Sequence, residues 1–88
     1  MKNRLLELSN ELSKMLFESE SFSGYVSVTR FEDGVFMLQL THYHDYYRYS
    51  NSHISIYDFN DENDLNKFKK QAIDCIENKI FFEDLGAL

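Results

Sequence analysis

Between Phe36 and Leu40 the large apolar side chains fall on the even positions Phe36, Leu38 and Leu40, while Gln39 and Thr41 are polar. A period of two sends alternate side chains to opposite sides of an extended backbone, so this stretch reads as a half-buried central strand. Such a strand needs neighbours along its edges and a layer over its apolar side. Gly24 to Phe31 repeats the pattern, with Val26 and Val28 inward and Tyr25, Ser27, Thr29 and Phe31 outward. His53 to Tyr57 does the same through Ile54 and Ile56.

Parity then chooses the turns. A two-residue loop at Asp33-Gly34 would set Val28 against Gln39, a core residue against a surface one. A three-residue loop over Glu32-Asp33-Gly34 sets Val28 against Leu38 and Val26 against Leu40, which predicts a type I turn with Gly34 left-handed as a bulge. On the other edge, Leu40 opposite Ile54 and Leu38 opposite Ile56 leave His44 to Ser50 as an exposed connection, longer than most hairpin loops. A competing register lengthens both strands and turns at Ser50-Asn51-Ser52.

The covering layer comes from the two ends of the chain. Leu5, Leu8, Leu12, Met15 and Leu16 share one helical face over residues 3–17, opposite Glu7, Glu11, Lys14 and Glu18, with Asn3 as the expected cap and Ser19 to Ser23 as the stop. Near the other end Asn60 or Asp61 caps a helix with an acidic first turn of Asp61, Glu62 and Asp64. Its buried stripe is Leu65, Phe68, Ala72, Cys75 and Ile76, widened by Ile73 and Ile80. The apolar tail from Phe81 to Leu88 docks on the sheet or joins an interface. The expected class is α+β in the order α-β-β-β-α: a three-stranded antiparallel sheet with two helices packed on one face, a single domain over 1–88. The other face carries Tyr25, Thr29, Met37, Gln39, Thr41, Tyr43, Ser55 and Tyr57, an aromatic and uncharged set that suits a binding surface.

Size and charge narrow the function. A chain of 88 residues buries about two-thirds of its unfolded surface, enough for one core. Hydrophobic residues at 43% and aromatics at 16% fit a globular chain. Fifteen acidic residues against nine basic ones leave a net charge of −6, which disfavours direct binding to nucleic acid or anionic membrane. The lone Cys75 excludes an internal disulfide, and MKNRLLELSNELSK is too interrupted by Glu7, Asn10 and Glu11 for a signal peptide or span, so the cytoplasm is the expected compartment. The absence of proline and tryptophan, with many Asn, Lys, Ile and Tyr, suits AT-rich coding such as that of a low-GC bacterium or its phage.

No motif carries catalysis. His42-Tyr43-His44-Asp45, with His53 across from it, has the residue types of a zinc site but no fourth ligand, so the plainer expectation is that His42 and His44 cap the sheet end. Cys75 lies in an apolar stripe, and the glycines Gly24, Gly34 and Gly86 form no phosphate loop. No enzyme activity, cofactor or metal is expected. The strand and helix order is similar to that of the double-stranded-RNA-binding domain, and Lys67-Phe68-Lys69-Lys70-Gln71-Ala72 resembles the lysine-rich start of that family's last helix. The likeness implies RNA binding through those lysines; the acidic balance departs from it, and no counterpart of the loop that meets the minor groove is evident.

The segment Tyr46-Tyr47-Arg48-Tyr49-Ser50-Asn51-Ser52 has the mixture that binding loops use: rigid amphipathic rings, an arginine and adaptable small polar groups. Carboxylates gather at Glu7, Glu11, Glu18 and Glu20, at Glu32 and Asp33, and at Asp58, Asp61, Glu62 and Asp64. In size and charge the chain is similar to small acidic phage inhibitors of restriction or CRISPR nucleases and to immunity proteins against nuclease toxins, which set carboxylates where phosphates would sit. The expected function is therefore a non-enzymatic inhibitor of a nuclease or other nucleic-acid-binding protein. Its expected contact residues are Tyr43, Asp45, Tyr46, Tyr47, Arg48, Tyr49 and Asn51, with Glu32 and Asp33, and it acts as a monomer or homodimer. The alternative is a regulatory or adaptor domain that self-associates or pairs through its open sheet face.

Overall fold

At Asp61 the chain enters its last helix through a reciprocal cap: the Asp61 carboxylate accepts the Asp64 amide at 2.9 Å, and Asp64 reaches back to the Asp61 amide. This helix and its surroundings are seen in a computed structural model that describes residues 1–82. Its elements, in chain order, are helix α1 (Lys2–Glu18), strands β1 (Gly24–Arg30), β2 (Phe36–Tyr43) and β3 (Asn51–Tyr57), and helix α2 (Glu62–Asn78). The strands form one antiparallel sheet in the order β1-β2-β3, α1 lies over β1 and β2, and α2 lies over β3. The α-β-β-β-α architecture read from the sequence is the one observed.

The registers follow parity. Val28 faces Leu38 and Val26 faces Leu40 across β1 and β2, while Leu40 faces Ile54 and Leu38 faces Ile56 across β2 and β3. At the first turn the Phe31 carbonyl accepts the Gly34 amide at 2.9 Å, and Gly34 sits at φ 89°, where a Cβ would clash with its own backbone. The third strand begins at Asn51, two residues before His53, so the competing turn at Ser50-Asn51-Ser52 does not form. Gly24 is needed for another reason: a Cβ there would run into the Thr41 carbonyl on β2.

Leu12, Leu38, Leu40, Ile56 and Cys75 are the largest side chains fully withdrawn from solvent. Each of the large aliphatic ones contributes about 2 kcal/mol by leaving water. The stripe of α2 buries Leu65, Phe68, Ala72, Cys75 and Ile76 as its spacing dictates. Three details differ from expectation. Helix α1 starts at Lys2, with the Met1 carbonyl taking the amides of Arg4 and Leu5, so Asn3 lies inside the first turn and caps nothing. Ile80 is exposed because Lys79, left-handed at φ 58°, ends α2 and turns the chain away. Val28, on the helix side of the edge strand, is 51% exposed because the helices leave that end of β1 bare.

Candidate functional site: the open sheet face and the aromatic end of the sheet

Odd-numbered strand residues point away from the helices, and this open side has an unusual composition. Tyr25, Ser27 and Thr29 on β1, Met37, Gln39, Thr41 and Tyr43 on β2, and Asn51, His53, Ser55 and Tyr57 on β3 include no Asp, Glu, Lys or Arg. In a chain that is 27% charged, leaving a whole sheet face without a fixed charge is a specific property of the fold. The surface is knitted from within: Gln39 Nε2 donates to Ser55 Oγ at 3.1 Å, and the rings of Tyr25 and Tyr43 meet at 5.9 Å. Thr41 is buried between them. Tyr57 extends the aromatic surface by stacking on exposed Phe59 at 5.1 Å.

The face ends at the connection between β2 and β3. His44 to Ser50 closes in two successive turns, with the Tyr47 amide bonded to the His44 carbonyl at 3.2 Å and the Ser50 amide to the Tyr47 carbonyl at 3.0 Å. Ser50 takes the left-handed conformation, φ 64°, to complete them. The tight path leaves Tyr46, Arg48 and Tyr49 outside and drives Tyr47 inward, to 2% exposure. Tyr47 is therefore a core residue, and its expected place in a contact surface is withdrawn. Tyr43, Asp45, Tyr46, Arg48, Tyr49 and Asn51 remain exposed around it, with the Arg48 guanidinium over the Tyr49 ring at 5.3 Å.

Under that rim lies a polar knot. The Tyr47 hydroxyl accepts the Phe82 amide at 3.0 Å and lies 2.9 Å from His42 Nδ1, which is also 3.3 Å from Cys75 Sγ. The Phe82 N–H occupies one lone pair of the Tyr47 oxygen, and the Tyr47 hydroxyl and the Cys75 thiol both lie within hydrogen-bond reach of His42 Nδ1. The ring is clasped between Phe22 at 4.9 Å and Phe81 at 5.8 Å, both stacked, and Tyr46 lies flat on Phe81 at 4.1 Å. Burial, and secondly the charge of His44, hold His42 below the usual imidazole range. Burial pushes the Tyr47 phenol up to about 12 and the Cys75 thiol up to about 11. A thiol in that state is protonated at neutral pH and is a poor nucleophile.

These positions correct the histidine reading. His42 and His44 share the helix side of β2, but His53 pairs with Thr41 on the open side and lies away from them. Among the described residues no group of three or more His, Cys, Asp and Glu side chains is placed to hold a metal ion. An open pocket of about 420 Å³ beside the knot is lined by Ser21, Phe22, His42, His44, Cys75, Ile76, Lys79 and Phe81.

The chain matches no known protein family, no curated protein and no solved structure. Function rests on geometry.

The acidic groups are less free than their number suggests. Glu32 and Asp33 sit on the β1–β2 turn, at the opposite end of the sheet from Tyr43, roughly 23 Å away along β2. They do not share a patch with the tyrosine rim. Asp33 accepts the Val35 amide, Asp58 the Phe36 amide, Asp61 and Asp64 cap α2, and Glu62 pairs with Arg4. Each is bonded locally, and cations share this end of the molecule: Lys2 and Arg30 lie over the Phe36 ring at 5.2 and 5.9 Å, and Arg4 pairs with Glu62, so carboxylates outnumber cations here without standing alone. Two of the three lysines of α2 that resemble an RNA-binding helix are also engaged: Lys69 with Glu11 at 3.7 Å and Lys70 with Asp74 at 2.8 Å. Phe22, Phe81, Phe82 and Cys75 were not legible as partners of His42, because no local pattern links residues so far apart in the chain.

The knot predicts a pH profile for folding. His42 titrates lower in the folded chain than the ordinary 6.5, so the unfolded chain takes up a proton first, and stability is lost as pH falls below about 6.5. Cys75 titrates higher than its ordinary 9.0, so the unfolded chain releases a proton first, and stability is lost as pH rises from 9.0 towards 11. Urea unfolding should give a plateau between these limits and about 3 kcal/mol lost on the alkaline side through Cys75, with a further loss above pH 10.0 through Tyr47, whose phenol is pushed up to about 12. Cys75→Ala should remove the loss that begins near pH 9.0 and leave the one that begins near pH 10.0 with Tyr47.

Proposed function

We propose that the protein is a non-enzymatic inhibitor that docks on a nucleic-acid-handling protein and blocks it. The observation that carries this reading is the segregation of charge: an uncharged, tyrosine-edged sheet face, with the charged groups gathered beyond its far end, where carboxylates outnumber Lys2, Arg4 and Arg30. An uncharged face can be desolvated by a partner without stranding an ion, which is the main penalty in burying a surface. Tyr25, Tyr43, Tyr46 and Tyr49 supply rigid rings with hydroxyls at the rim, and Arg48 supplies a directional cation. The carboxylates at Glu32, Asp33, Asp58, Asp61, Glu62 and Asp64 lie beyond the far end of that face, where they would meet the cationic groove of a protein that binds phosphates. The protonated Cys75 thiol and the neutral, clasped His42 argue for packing rather than reaction.

A second reading, an adaptor that pairs through the same face with no nucleic-acid connection, draws on the uncharged surface alone. Salt separates the two. With a partner captured from lysate and purified, raising salt from about 50 to 500 mM should slow association by tenfold or more, because screening tightens with the Debye length. The partner's own nucleic acid should compete. An on-rate indifferent to salt, with no competition, would leave the adaptor reading and remove the inhibitor one.

A further inference from the structure

Among the described residues the outer edge of β1 is a long stretch of backbone hydrogen-bonding groups that the fold leaves open. Tyr43 donates to the Ser23 carbonyl and Phe31 to the Val35 carbonyl, so odd-numbered residues of the first strand bond to β2. By alternation the amides and carbonyls of Gly24, Val26, Val28 and Arg30 point outward. Among the described residues β1 has no neighbour on that side. Exposed edges are usually blunted by proline, a bulge or a lysine, and the run GYVSVTR has none of these before its final arginine. On the opposite edge Asn51, His53 and Ser55 also point outward, and there the last amide, that of Tyr57, is taken by Asn60 Oδ1 at 2.8 Å.

We infer that the protein forms a twofold dimer in which β1 pairs antiparallel with β1 of a second copy, centred on Ser27. Three observations select this occupant. An edge of free amides and carbonyls is complemented by another strand. A twofold axis at Ser27 sets Val26 against Val28 and Gly24 against Arg30 of the second copy, all outward-bonding positions, giving up to about eight backbone bonds with no slip of register. The flank of α1 above the edge carries no acid: Leu6 and Phe17, 59% and 93% exposed, share one side of the helix with Lys2, Asn10 and Ser13, and Val28 on β1 is itself half-exposed. The acids Glu7, Glu11 and Glu18 sit on other sides of that helix, and Glu11 faces α2 through Lys69, so two copies of charge −6 meet where neither presents a carboxylate from α1. Pairing would extend the sheet to six strands and join the two open faces into one.

Sedimentation equilibrium from micromolar to near-millimolar concentration should show the mass rising from 10.5 kDa to twice that value. Amide exchange of Val26 and Val28 should slow as the dimer forms, while Tyr25, Ser27 and Thr29, already bonded to β2, stay unchanged. Val28→Pro removes an outward N–H and none of the β1–β2 bonds, and Val28→Lys adds a charge at a half-exposed side chain; both should remain folded by circular dichroism and monomeric throughout. A wild type that is monomeric at every concentration would overturn the inference. So would a dimer that survives both variants and is instead lost on Gln39→Lys, since that dimer would use the open face.

Discussion

Tyr47→Ala is expected to cost about 3–5 kcal/mol, a large part of the stability of an 88-residue domain. The ring fills space beside His42 and Phe82, and its hydroxyl serves groups on two other segments of the chain. Tyr47→Phe isolates the hydroxyl. It keeps the packing but leaves the Phe82 amide and the Cys75–His42 pair without that oxygen, and should cost about 1–3 kcal/mol in urea unfolding. Tyr46→Ala and Tyr49→Ala, at exposed positions one and two residues away, should each cost less than about 1 kcal/mol. A Tyr47→Phe variant as stable as wild type would show that the knot is not what holds the loop and the tail together.

The second large effect concerns binding. Gln39 lies mid-face on the central strand, and Gln39→Lys sets a cation in the middle of the open surface. Against a partner that must desolvate this surface, an unpaired buried charge costs about 3–5 kcal/mol, so affinity should fall more than a hundredfold. The folded chain should barely notice, losing only the bond to Ser55 and about 1 kcal/mol. Glu32→Gln with Asp33→Asn should instead change mainly the association rate at low salt, since solvated charges at the rim of a contact steer more than they hold. Titration calorimetry with the purified partner separates these outcomes.

Much of the fold is written locally. The parity of Val26, Val28, Leu38, Leu40, Ile54 and Ile56 determines both registers, because any one-residue slip would expose the core. The spacing of Leu65, Phe68, Ala72, Cys75 and Ile76 determines the inner side of α2 for the same reason. The candidate site is less legible. Tyr46, Tyr47 and Tyr49 are chemically alike in the sequence, and only the doubled turn from His44 to Ser50 decides which one points inward. The clasp of His42 joins residues from the α1–β1 connection, β2, α2 and the tail, contacts that no spacing within one segment encodes. The uncharged character of the open face was visible in outline, since period two assigns Tyr25, Gln39 and Ser55 to one side. The edge of β1 was not, because its availability depends on how far α1 and α2 reach across the sheet.

Cross-saturation from bound, unlabelled partner into the isotopically labelled protein tests the central claim most directly. The claim is that the sheet side away from the helices makes the contact. Saturation should enter at Tyr25, Ser27, Gln39, Tyr43 and Ser55 and at the rim residues Arg48 and Tyr49, and should spare Tyr47. Saturation confined to α1 and α2, with the open face silent, would contradict it.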